Sequence, residues 1–161
     1  MSYMLELMYS MGLRTLYHRF TLSVEHDYLP SKSATINIEV ICESSYTYPI
    51  FKITASLDEY KEETSCLVDP FSRRDVDLSV ANGIIKACEH VMLKYLQGKG
   101  IFYIQPETLE EAERLKNDQK YNENIRKVRE IMEVINEQVV NSSDVKKLCP
   151  YLYSKFVFKR R

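Results

Sequence analysis

Residues 34–57 read Ala-Thr-Ile-Asn-Ile-Glu-Val-Ile-Cys-Glu, Ser-Ser-Tyr-Thr-Tyr-Pro, Ile-Phe-Lys-Ile-Thr-Ala-Ser-Leu. In the first half Ile36, Ile38, Val40 and Cys42 alternate with Thr35, Asn37 and Glu39; in the second half Phe51, Ile53, Ala55 and Leu57 alternate with Lys52, Thr54 and Ser56. Successive side chains of a strand point to opposite faces, so each half predicts a strand with one buried and one wet face. The link from Glu43 to Pro49 is short and rich in turn formers, which favours an antiparallel pair.

Outward from this pair, Phe20, Leu22 and Val24 alternate with Thr21, Ser23 and Glu25 and predict a preceding strand, joined through a loop over 27–33 that holds Pro30. Before it, Met4, Leu5, Met8 and Met11 recur at helical spacing and predict a short helix over 1–14, broken near Gly12. After the pair, 58–77 has no clean period and seven acidic side chains, which reads as a solvated loop, with Cys66, Leu67 and Val68 as a short fourth strand inside it. Leu78, Ala81, Ile84, Ile85, Cys88, Val91, Met92 and Tyr95 then step by three and four. They predict a helix from Leu78 to Leu96, N-capped by Asp75 or Asp77 and ended by Gly98 or Gly100, whose wide apolar stripe covers the sheet. The fold class is therefore α+β: an antiparallel three- to four-stranded meander covered by helices, with a long C-terminal helix.

Ile101 to Ile104 is an apolar run that adds a strand or packs at the domain's end. Pro106 occupies a first-turn position, with Glu107, Glu110 and Glu111 behind it, and predicts one long helix to about Val140. Along it Tyr121, Ile125, Val128, Met132, Ile135 and Val139 form an a/d seam of nearly three heptads on an otherwise charged helix. Such a seam needs a partner helix, within the chain (the first helix, for instance) or in another chain; the reading favours another chain or a second copy, bound through 121–139. Ser142 and its neighbours cap a last short turn before Pro150. The organisation is then 1–104 as an α+β domain, 105–140 as a charged helix with a heptad seam, and 141–161 as a basic, aromatic tail.

Chemistry is sparse. No Gly-x-Ser-x-Gly elbow occurs, and four glycines (12, 83, 98 and 100) make no phosphate-cradling loop. Cys42, Cys66, Cys88 and Cys149 form no Cys-x-x-Cys pair, so no metal and no cofactor are expected, and Cys42 and Cys88 read as small buried hydrophobes. Glu25-His26-Asp27 places neighbours on opposite faces, and His90 reads as a boundary residue. No catalytic residues are assigned. A net charge of −1 gives no reason for nucleic acid or anionic membrane to bind the whole molecule. No apolar run approaches the roughly 20 residues that span a bilayer. The segment 1–11 carries Glu6 and lacks the basic start and small-residue cleavage site of a signal peptide, so cytoplasm or nucleus is the expected setting.

Phe20–Val24, Ile36–Val40 and Phe51–Leu57, with Tyr48-Pro49 before the third, preceded by a helix and followed by a covering one, give 1–104 an order that resembles the RWD family, relatives of the ubiquitin-conjugating fold. Ile53 stands where that family has a second proline. The chain has no His-Pro dipeptide, so the resemblance implies a member inactive in ubiquitin conjugation and acting in protein–protein interaction, a role often paired with coiled coils. The expected function is a non-enzymatic adaptor or complex subunit binding through the seam and the sheet face. Two alternatives stand beside it. The first is a small nucleic-acid-binding protein using Lys155, Lys159, Arg160 and Arg161 among the tail's aromatics. The second is a viral or phage inhibitor of a host protein.

Overall fold

The computed structural model describes residues 11–12, 15–43, 49–67 and 73–153. Within them four strands form one antiparallel sheet in chain order: β1 Thr15–Glu25, β2 Ser33–Glu43, β3 Ile50–Leu57 and β4 Tyr60–Leu67. The two-residue alternation decides the register. Leu22 lies opposite Ile36 and Phe20 opposite Ile38, while Val40 faces Ile53 and Cys42 faces Phe51, so the alternating apolar positions stack on one face. The predicted first helix, 1–14, lies almost wholly outside the described residues, as does Tyr48; Pro49 is buried at the entry to β3.

β4 corrects the loop expected over 58–77. It pairs with β3 along its whole length, from Leu57↔Tyr60 to Ile50↔Leu67, after a two-residue turn in which Asp58 takes the left-handed conformation (φ 52°) that aspartate tolerates. Its composition hid it. Tyr60, Glu62 and Thr64 occupy the inward positions, an edge-strand pattern in which a charge replaces the apolar residue of a central strand. Glu62 is paired there with Lys94 at 2.7 Å.

Helix α1, Arg73–Gly98, lies across β3 and β4. It begins earlier than predicted: Asp75 sits in its first turn and Asp77, a candidate cap, lies inside the helix and is buried. At the other end Ile101 N donates to Leu96 O and Gly100 N to Gln97 O, with Gly100 at φ 71°, the Schellman closure that left-handed glycine favours. Close approach to the sheet needs Gly83, where an added Cβ would meet the Ile53 terminal methyl at 2.6 Å.

The single helix expected from Pro106 to Val140 is two. Helix α2 runs Leu109–Leu115, capped by Thr108, whose hydroxyl accepts from Glu111 N at 3.0 Å. Helix α3 runs Gln119–Asn141, capped by Asp118, whose carboxylate accepts from Tyr121 N at 3.0 Å. The polar stretch 116–118 is the break, since a short aspartate there bonds the backbone in a non-helical conformation. The break lets α3 turn back over β1 and against α1. Helix α4, Ser143–Leu148, follows at once, with Ser142 capping it through Val145 N at 3.3 Å. The run 101–104 adds no strand: Ile104 is buried and the Phe102 ring stands edge-on to Tyr28 at 6.2 Å, closing the end of the core.

Val128, Ile131, Ile135 and Val139 of α3 are buried in the same cluster as the strand residues. Ile135→Ala is expected to cost about 3 kcal/mol of stability through lost transfer and a residual cavity. Urea unfolding followed by circular dichroism measures it, and a loss below about 0.5 kcal/mol would mean that α3 does not share the core.

Candidate functional site

The inner face of the sheet is covered by α1 and α3; the outer face has no covering element among the described residues. The ladder sets its rows. Arg19, Glu39, Thr54 and Glu63 lie side by side, flanked by Tyr17, Ile41, Lys52 and Ser65 on one side and Thr21, Asn37, Ser56 and Lys61 on the other. All of these but Tyr17 and Ser65 line a shallow trough of about 780 Å³. Arg19 Nε meets Glu39 Oε2 at 2.9 Å, and Lys52 Nζ meets Glu43 Oε1 at 3.5 Å. The Arg19 guanidinium also sits 5.6 Å above the Tyr17 ring. Tyr17 is 55% exposed, and Ile41 beside it occupies a position that the alternation reserves for polar residues. An aromatic and an aliphatic side chain amid paired charges give a surface with contact area, ring stacking and fixed charges, the composition of a macromolecular contact.

A second groove, about 430 Å³, runs between β4, α1 and residues 104–105. Its floor holds Leu93 and Ile104, and the Glu62–Lys94 pair closes its side. Gln97 Oε1 accepts from Ile104 N at 3.2 Å and from Gln105 N at 2.9 Å, pinning the segment that forms the rim. His90, read as a boundary residue, is exposed on this rim.

The predicted seam residues come together, but against their own chain. Val128, Ile135 and Val139 are buried, Ile125 and Met132 pack on the core, and the Tyr121 hydroxyl donates to Ile104 O at 2.7 Å. The contact expected from another chain is made by β1 and α1. The reason is Ile131, fully buried, with Val134 partly so: they widen the a/d seam into the broad stripe of a helix that packs on a sheet. Lys155, Lys159, Arg160 and Arg161 lie outside the described residues. The open-face residues were missed, and their signal was available in Tyr17 and Ile41, large side chains on the wet side of otherwise alternating strands.

The four cysteines are free. Burial pushes the Cys42 and Cys88 thiols up to about 12, with Cys66 and Glu43 adding to the first and Glu89 to the second. Burial, then Asp77 and Cys66, also raise Cys149. These thiols are held in the protonated, poorly nucleophilic form. Among the described residues no group of three or more His, Cys, Asp or Glu side chains is placed to hold a metal ion, and no helix is long and apolar enough to cross a membrane. No family model, curated protein or solved structure matches the chain.

The buried thiols predict a pH dependence. Their folded values lie above the ordinary thiol value of 9.0, so the unfolded chain releases these protons first. Their stabilisation is whole below about pH 9 and is lost as pH rises towards 12. Urea midpoints measured between pH 8 and about 11 are expected to fall more steeply for the native chain than for Cys42→Ala/Cys88→Ala, and parallel curves would contradict the assignment.

Proposed function

We propose that this chain is a non-enzymatic protein-interaction module, an adaptor or assembly subunit, that receives its partner on the open face of the sheet. One observation carries the reading: among the described residues the helices cover one face of the sheet, and the other is a trough with Ile41 among the Arg19–Glu39 and Lys52–Glu43 pairs and the exposed Tyr17 beside it. The raised thiols support a role without nucleophilic chemistry. A meander followed by a helix on one face is also the order on which the resemblance to RWD interaction domains rests. Four free cysteines suit a reducing compartment, the cytoplasm or the nucleus. The seam of α3 has no part in this role, because its side chains are used within the core.

The test is site-specific photo-crosslinking in the native cell, from position 54 on the open face and from position 86 on the exposed side of α1. A defined partner is expected to crosslink from 54 and not from 86. Tyr17→Ala/Ile41→Ala is expected to remove that product while leaving the thermal midpoint within a few degrees, since substitutions at wet positions rarely exceed about 0.5 kcal/mol. A partner captured only from 86, or retained in full by the double variant, would overturn the proposal.

A further inference from the structure

The sheet has two edge strands, and they are built differently. β4 is guarded. It carries Glu62 on its inward side, so a second copy paired there in the register that opposes Lys61 with Glu63 would set Glu62 against Glu62. The inward side of β1 is apolar except at His18, which is drawn to Asp144 of α4 at 3.3 Å and carries no permanent charge. The strand is eleven residues long, pairs with β2 without a bulge from Thr15↔Glu43 to Glu25↔Ser33, and contains neither proline nor glycine. Among the described residues nothing pairs with its outer edge.

We infer that β1 is a self-association edge, on which a second copy of this chain adds its own β1 in antiparallel register and joins two four-stranded sheets into one. This rests on the reading of the chain as an interaction module and names a partner that reading leaves open. The alternation restricts the register. Only pairings that keep apolar faces together are allowed, since a one-residue slip turns every side chain to the wrong side. Among these, a two-fold centred on Leu22 places Arg19 opposite Glu25 of the second copy, and Glu25 opposite its Arg19. Thr21 then meets Ser23, and Phe20 meets Val24 on the inner face. Centring on Thr21 sets Arg19 against Ser23, and centring on Arg19 opposes two arginines. Charge complementarity therefore selects the Leu22 register. Arg19 and Glu25 are both exposed on the outer side, and the Arg19 pair with Glu39 extends the charge row across the joint. The open faces of the two sheets then become one continuous surface.

Sedimentation equilibrium of the full chain across a micromolar concentration series tests this. The native chain is expected to form a concentration-dependent dimer. Arg19→Glu and Glu25→Arg each create two like-charged pairs across the two-fold and should weaken association about tenfold. An equimolar mixture of the two variants restores opposite charges at both ends and should recover the native affinity. Circular dichroism checks that each variant is folded, and Glu25→Arg leaves the Arg19–Glu39 pair intact if Arg19→Glu proves unstable. A native chain that stays monomeric, a dimer insensitive to both variants, or a mixture that does not recover would overturn the β1 edge. Each of these results leaves the open-face reading to its own crosslinks, which do not depend on dimerisation.

Discussion

Width governs this structure. Strands lie about 4.8 Å apart and a helix with its side chains is about 10 Å across, so one helix shelters roughly two strands. The sheet has four, with mainly apolar inner faces on β1, β2 and β3, and α1 lies chiefly over β3 and β4. Leu22, Val24, Ile36 and Ile38 therefore need a second helix, which α3 supplies with Val128, Ile131, Ile135 and Val139. The break at 116–118, the cap at Asp118 and the Tyr121–Ile104 hydrogen bond all serve to bring that helix back. The same demand ties up the α3 stripe and leaves the opposite face of the sheet as the broad surface without a covering layer among the described residues.

The first three strands and α1 were legible in the sequence because their periods are strong and their apolar sides complete. Ile36, Ile38, Val40 and Cys42 sit in the structure on the face that the alternation assigns them. β4 was legible only at its end, Cys66 and Leu67, since Glu62 and Thr64 stand where a central strand has aliphatic residues, and edge strands are recognised by pairing more than by composition. The course of α3 was half legible. Its apolar positions were read correctly, but the seam drawn through them omitted Ile131, and the width of a stripe is what separates a helix that packs on a sheet from one that packs on another helix. The continuous helix over 106–140 failed for a local reason: Asn117 and Asp118 compete for the backbone, and propensity over a polar stretch does not reveal whether a helix runs through or restarts.

The sheet face was expected as a binding surface, but not the residues that mark it. A wet strand side is ordinarily polar, and Tyr17 and Ile41 are departures from that rule whose importance depends on nothing covering them. Two features then point to association: a trough with Ile41 and paired charged groups beside the exposed Tyr17, and a β1 edge that pairs with nothing among the described residues. Arg19 belongs to both, through the Tyr17 ring and Glu39 on the face and through its place on the edge strand.

The central claim is that α3 is part of the core and is unavailable as a seam for another chain. Native-state hydrogen exchange tests it most directly, comparing the amides of Val128, Ile131 and Ile135 with those of Ile36, Ile38 and Val40 in β2. The account predicts that both sets exchange only through global unfolding, with the same free energy and the same denaturant dependence. If the α3 amides open at a free energy several kcal/mol lower, with β2 still protected, the helix is a detachable layer and its apolar stripe is free for a partner, which would contradict the account.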